Sequence, residues 1–162
     1  MNKLAKHMHL NPSFYANTHG LMNERSYSTA HDVALITHYA MKNEMFKEVV
    51  AKQSYSCRLF NRTYGHHKET LWENTNKLLP VSGFMGVKTG ITPAAGPCLS
   101  SCFQFKTEEY FIVVVLKTKS CEMRFRDTAN LLKEVFRQYL AQHSSSKAYK
   151  RALNNLDKYD KL

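Results

Sequence analysis

The sequence predicts an α+β domain in which helices come first, a run of strands follows and a long helix closes the fold. Apolar residues recur at helical spacing before residue 51 and again after residue 126. Between these regions, short apolar runs are separated by Gly, Pro and Asn, as is typical of strands joined by turns. Helices and strands segregated in this way form an antiparallel sheet flanked by helices.

Three helices are predicted in the N-terminal region. Asn11-Pro12 ends the first, and Thr29 with Asp32 gives a capping-box pattern at the start of the second. The third is shorter. The apolar faces of the first and third helices consist of Met1, Leu4, Ala5 and Met8, and of Met45, Phe46, Val49 and Val50.

Five short strands are predicted in the middle of the chain. Residues 55–61 and 70–72 flank a polar turn, and we expect Tyr55, Phe60 and Trp72 to form a local core there. Residues 84–89, 98–105 and 110–116 form a three-stranded antiparallel meander. A turn at 90–96 and a hairpin loop at 106–109 connect its strands.

The last strong element is a helix that begins near Arg126. Its apolar residues repeat at helical spacing, and Lys133, Glu134, Arg137 and Gln138 are expected on its water-facing side. Beyond Gln142 the chain is polar and basic. We therefore divide the sequence into a domain at 1–141 and a polar basic tail at 142–162.

The charge of the chain favours acidic partners. Its 23 basic and 13 acidic side chains give a net charge of +10. The basic residues are scattered, and no nucleic-acid-binding motif accompanies them, so a nucleic-acid module is the weakest of our hypotheses. The longest apolar run, 110–116, is too short to cross a bilayer. Polar residues interrupt the first twenty residues throughout, so we do not expect them to be a signal peptide.

The sequence shows no metal-binding pattern. Four histidines, His7, His9, His66 and His67, lack a matching carboxylate or thiol pattern. The cysteines at 57, 98, 102 and 121 do not have the spacing of a zinc site. They allow three disulfide pairings, and we expect buried or half-buried free thiols.

Residues 86–90 (Gly-Val-Lys-Thr-Gly) carry the strongest functional signal. They lie at the end of a predicted strand, and a turn leads from this strand directly into a second one. Residues 17–21 (Asn-Thr-His-Gly-Leu), 27–35 and 74–79 (Asn-Thr-Asn-Lys-Leu-Leu) precede them, and Arg124 follows. In this order the segments resemble the low-molecular-weight penicillin-binding D-alanyl-D-alanine carboxypeptidases. The resemblance extends from Met1 to Leu140.

This resemblance implies a partial serine β-lactamase/transpeptidase-like domain of a serine-type peptidase that acts on peptidoglycan peptides ending in D-Ala-D-Ala and that binds β-lactams. No cofactor is implied, and relatives work outside the cytoplasm. A cation, a hydroxyl and a guanidinium suit the terminal carboxylate of such a peptide. The Ile91 N–H would donate to an oxyanion hole. The implied catalytic residues are Lys88, Thr89 and Gly90, and the implied substrate-binding residues are Arg124, Ile91 and His19.

The family's nucleophile is missing from this sequence. No serine is followed two residues later by asparagine, and the one Ser-x-x-Lys, Ser144 to Lys147, lies in the predicted tail. Without an activated serine, covalent acyl transfer has no nucleophile. We expect no hydrolysis by the chain alone. Two hypotheses remain: a fragment of a carboxypeptidase, or a non-catalytic remnant that binds a peptide or a partner protein.

Overall fold

The computed structural model describes residues 1–63, 65–105, 109–142 and 147–157. In chain order its elements are α1 (Asn2–His7), α2 (Ala30–Ala40), α3 (Glu44–Ala51), β1 (Ser54–Asn61), β2 (His66–Glu73), β3 (Phe84–Thr92), β4 (Gly96–Gln104), β5 (Tyr110–Val115), α4 (Met123–Gln142) and α5 (Lys147–Asp157). The predicted α+β class is therefore confirmed. Most of the predicted hairpin loop at 106–109 lies outside the described residues. No helix within them is both long and apolar enough to span a bilayer.

Strands β3, β4 and β5 form the predicted antiparallel meander, with β4 in the centre. Lys88 of β3 lies opposite Ser100 of β4, and Gly90 lies opposite Cys98. On the other side of β4, Leu99 lies opposite Val115 of β5. Within the described ranges, the outer edges of β3 and β5 have no partner strand. Their outward backbone groups are therefore available to another extended segment.

Helices pack on both faces of this sheet. Helix α4 covers one face, and the core there consists mainly of Phe125, Leu132 and Phe136 from the helix with Phe84, Leu99 and Phe103 from the sheet. Helices α2 and α3 cover the other face, where Met41 packs with Cys102. A buried hydrogen bond of 2.7 Å joins the hydroxyls of Thr37 on α2 and Ser100 on β4. The sheet is thus held between two helical layers.

Side-chain hydrogen bonds connect the N-terminal segment to α2. The Ser13 hydroxyl donates to Asp32 Oδ2 at 2.6 Å, and the Ser13 N–H donates to the same oxygen at 3.3 Å. The Ser13 hydroxyl bond, together with contacts to His31, lowers the pKa of Asp32 despite its desolvation. Thr29 caps α2 by accepting the Asp32 N–H, which confirms the predicted capping residue.

The expectation of a local core around Trp72 is wrong. Strands β1 and β2 form a separate two-stranded hairpin, and Tyr55, Phe60 and Trp72 are each more than half exposed. Tyr55 and Trp72 are cross-strand neighbours whose rings stack 6.2 Å apart. The strand prediction was correct, but no described element packs over these rings to bury them.

Part of the predicted tail is a packed helix. Helix α5 lies against α4 and buries Ala152 and Leu156. It also covers Lys133, whose ammonium lies 3.4 Å from Asp157 Oδ1. Lys133 is 2% exposed, so the expectation that it lies on the water-facing side of the helix is wrong. The domain boundary at 141 remains a prediction, and Ser144 lies outside the described residues.

The cysteines are unpaired, as the sequence predicts. Cys57 and Cys98 are half-buried, Cys102 is buried and Cys121 is exposed, so the burial expectation is wrong for Cys121 alone. Burial raises the pKa of Cys102 to about 11, which keeps it a neutral thiol at pH 7.

We expect Phe136→Ala to lower the free energy of unfolding by about 3–5 kcal/mol, because it empties a fully buried site. Trp72→Ala should lower it by less than about 1 kcal/mol, since a cross-strand pair contributes at most about that amount. Urea denaturation of both variants measures the difference. Equal losses would show that the hairpin is covered in solution.

We also expect stability to depend on pH through Asp32. A pKa lowered by folding gives stability that is complete above the unfolded pKa of about 3.9 and is lost as pH falls through the folded pKa. Asp32→Asn should therefore reduce stability at pH 7 and flatten its decline below pH ~4. Denaturation midpoints across this range test the sign, and an unchanged decline would exclude Asp32 as its source.

Candidate substrate-binding site

The site predicted from the sequence occupies the C-terminal half of β3, which is called the end of β3 below. Lys88 and Thr89 point to opposite faces of the sheet, as successive strand residues do. Lys88 is exposed, and its ammonium donates to the Thr89 carbonyl oxygen. Thr89 is 7% exposed and lies opposite Leu99, on the side of α4. A cation and a hydroxyl therefore flank one unpaired strand edge.

Gly90 leaves open space beside this edge. A Cβ atom added to Gly90 would meet no atom within 4 Å, and the backbone there has no positive φ. Gly83, at the start of the same region, differs on both counts: its φ is +104° and an added Cβ would lie 2.5 Å from Phe103 Cζ. Packing within the chain therefore requires glycine at 83 but not at 90. The space at Gly90 is available to a ligand.

Arg124 brings a second positive charge to the same end of β3. It lies in the first turn of α4, is 8% exposed, and donates from Nη1 to the Gly90 carbonyl at 3.3 Å. Its guanidinium stacks on the Phe125 ring at 4.8 Å. Its buried Nε has no hydrogen-bond partner, and no carboxylate of the described residues pairs with it. A buried guanidinium with an unused donor favours binding of an anion.

Thr75 also belongs to this site, and the sequence did not predict it. Its hydroxyl oxygen lies 2.6 Å from that of Thr89. Thr75 is part of the Asn-Thr-Asn segment that carried the family resemblance, which was the available signal. The contact itself joins residues in different elements, so no local pattern reveals it.

The asparagines on either side of Thr75 fix the loop before β3. Asn74 donates from Nδ2 to the Lys52 carbonyl at 3.0 Å and accepts the Asn76 N–H at 2.9 Å. Asn76 is buried and accepts the Leu78 N–H at 3.1 Å. Side chains that bind backbone groups two residues ahead are typical of asparagine in turns. They place the Thr75 hydroxyl against β3.

Two other predicted residues are not joined to this group. Ile91 follows it on β3, is 61% exposed and lies opposite Pro97, so its side chain does not enclose the site. His19 lies in an exposed loop, where its Nδ1 accepts the Leu21 N–H at 3.1 Å. No hydrogen bond among the described residues connects His19 with Lys88 or Arg124. The roles of Ile91 and His19 remain predictions.

The described residues contain no group of three or more His, Cys, Asp or Glu side chains that could hold a metal ion. Two cations, a hydroxyl and an open strand edge thus lie at this end of β3, and groups of these kinds suit an anionic ligand.

A family model of D-alanyl-D-alanine carboxypeptidases matches residues 1–120. The chain therefore belongs to this family, as residues 86–90 and the segments around them predicted. It is 36% identical over 100 residues to a D-alanyl-D-alanine carboxypeptidase of Streptomyces sp. (strain K15). It is 31% identical over 140 residues to the D-alanyl-D-alanine carboxypeptidase DacF of Bacillus subtilis (strain 168).

Solved structures show the same fold. The Streptomyces K15 DD-transpeptidase superposes with a TM-score of 0.71 and 34% identity, covering 78% of this chain and 48% of that one. Penicillin-binding protein D2 of Listeria monocytogenes, in its cefotaxime-bound form, gives 0.65 and 26%, covering 82% and 51%. The match to the curated Streptomyces relative covers 61% of this chain, and the match to DacF covers 86%. In both cases the match covers 34% of the relative. The chain thus spans a third to a half of its relatives.

We expect Gly90→Ala to leave the free energy of unfolding unchanged or to raise it by up to about 1 kcal/mol, since alanine is favoured over glycine within a strand. Gly83→Ala is the matched control and should lose about 1–3 kcal/mol through its clash with Phe103. Thermal and urea denaturation measure both. A large loss in Gly90→Ala would mean that the chain itself fills the space at Gly90.

Proposed function

We propose that the chain is part of a serine-type D-alanyl-D-alanine carboxypeptidase, and that the end of β3 binds a peptide ending in D-Ala-D-Ala. The observation that best supports this is the state of Arg124. Its guanidinium is buried beside Gly90, retains an unused donor, and has no acidic partner among the described residues. A terminal carboxylate is a ligand that such a group would hold strongly.

The peptide would lie in an extended conformation along the open edge of β3. Backbone hydrogen bonds to this edge would align it, as when a peptide adds a strand to a sheet. Its terminal carboxylate would accept hydrogen bonds from Thr89 and Arg124. Gly90 would allow the close approach, because it has no side chain at the edge.

The chemical step would need a serine supplied from outside this sequence. Its Oγ would attack the carbonyl of the penultimate D-Ala, the C–N bond would break, and the terminal D-Ala would leave with a proton on its amine. Water would then hydrolyse the acyl-enzyme. Lys88 would stabilise negative charge near the reacting groups, and the Ile91 N–H would donate to the tetrahedral oxyanion.

A non-catalytic remnant is the second candidate. The sequence contains no Ser-x-Asn, and its single Ser-x-x-Lys follows residues 86–90 instead of preceding them. Such a protein would bind the same peptide or a partner protein without cleaving it. The two candidates therefore differ in acylation.

A labelled penicillin tests the proposal, because it acylates the nucleophilic serine of these enzymes. The assay compares this chain with the chain extended by its in-frame upstream sequence. We expect label on the extended form only. Lys88→Ala should reduce the labelling rate about 100-fold or more, as loss of a charge-stabilising group does.

Lys68→Ala is the matched control, since Lys68 is an exposed lysine on the separate hairpin, and it should label at the rate of the parent. If neither form is labelled, the carboxypeptidase proposal fails and the remnant takes its place. Equal loss in both lysine variants would show a general effect of charge rather than a role for Lys88.

A further inference from the structure

We propose that Thr75 is a positioning residue of the carboxylate site, and that its hydroxyl directs the O–H of Thr89 towards the ligand. This inference rests on the proposed binding of a terminal carboxylate at Thr89 and adds the residue that orients that binding group. Its basis is the 2.6 Å contact between the two hydroxyl oxygens.

The direction of this hydrogen bond depends on which of the two hydroxyls donates its proton. Each hydroxyl has one proton to donate and two lone pairs that accept. In the contact between Thr75 and Thr89, either oxygen can be the donor. If Thr89 donates to Thr75, its proton is used. If Thr75 donates to Thr89, the Thr89 proton is free for another acceptor.

A carboxylate selects the second arrangement, because an ionised carboxylate only accepts hydrogen bonds. Thr75 would donate to Thr89, and Thr89 would donate to the carboxylate. Such a chain of hydrogen bonds polarises its members and strengthens each by about 10–30%. A carboxamide at the same place could instead donate to Thr89, so it would not require this direction.

The exposure of the two side chains supports this assignment. Thr89 is 7% exposed, and Thr75 is its one hydrogen-bond partner among the described side chains. Thr75 is exposed, so water can donate to the lone pairs of the Thr75 hydroxyl when that hydroxyl donates to Thr89. The direction of the bond can therefore change without leaving Thr75 unsatisfied.

The loop holds Thr75 in a fixed place. Asn74 is bonded to the Lys52 carbonyl and to the Asn76 N–H, and Asn76 in turn accepts the Leu78 N–H. The backbone on both sides of Thr75 is thus fixed by side-chain hydrogen bonds. A hydroxyl held in this way can orient Thr89 at a small entropic cost.

The test uses the chain as it is and two probes, N-acetyl-D-Ala-D-Ala and its C-terminal amide. Titrations followed by the backbone NMR signals of Thr89 and Gly90 give a Kd for each. We expect the parent chain to prefer the carboxylate. Thr75→Val should weaken carboxylate binding about three- to tenfold and change amide binding less than twofold, and Thr75→Ser should preserve both values.

Thr118→Val is the control, because it removes a hydroxyl that bonds to the Pro97 carbonyl elsewhere on the same sheet. It should leave the ratio of the two Kd values unchanged. The double variant Thr75→Val/Thr89→Val guards against misfolding, since it replaces both partners of the bond with apolar groups of similar shape. On a Thr89→Val background, Thr75→Val should have no further effect on the ratio.

A Thr75→Val chain that keeps the parent's ratio overturns the inference and leaves the proposed function intact. So does an additional effect of Thr75→Val in the absence of the Thr89 hydroxyl. If the parent chain binds neither probe, or binds both equally, the proposed carboxylate site itself fails and the role of Thr75 fails with it.

Discussion

The packing of α4 against the three-stranded sheet determines where the candidate site lies. Phe136, fully buried on α4, places its ring 5.6 Å from that of Phe103 and 5.4 Å from that of Phe111, in edge-to-face geometry. Such pairs add about 0.5–1.5 kcal/mol each to the energy of burial. They fix the helix relative to β4, and so they fix its first turn relative to β3. Arg124 reaches the Gly90 carbonyl because of this packing.

The position of Arg124 has an electrostatic cost that an anion would offset. A guanidinium removed from water loses hydration, and the protein replaces it here with one backbone carbonyl and the face of Phe125. A neutral acceptor and an aromatic ring compensate a buried cation only partly. The same region of β3 adds the exposed charge of Lys88. Two positive charges therefore lie near the end of the strand, and no carboxylate of the described residues forms an ion pair with Arg124.

Local patterns predicted most of the fold but not what covers each element. The cap at Thr29, the strands around residues 86–90 and the long helix each follow from periodicity and turn residues within a short window. The burial of a strand depends on distant segments, and for this reason Trp72 was mistaken for core and Lys133 for surface. The candidate site shows the same difference between local and distant information. Residues 86–90 were recognised as a motif, whereas the contact of Thr75 with Thr89 arises only in the folded chain.

The proposed site accounts for the position of the bond that a carboxypeptidase cleaves. Consecutive Cα atoms lie about 3.8 Å apart, so a peptide anchored by its terminal carboxylate presents its last peptide bond at a fixed distance from Thr89 and Arg124. An internal segment of a longer peptide has no free carboxylate and would leave the Arg124 guanidinium without an anionic partner. Anchoring alone binds the ground state and the transition state equally and does not accelerate the reaction. It becomes catalytic only when a nucleophile is held at the adjacent carbonyl, and in that case the same contacts limit cleavage to the terminal residue.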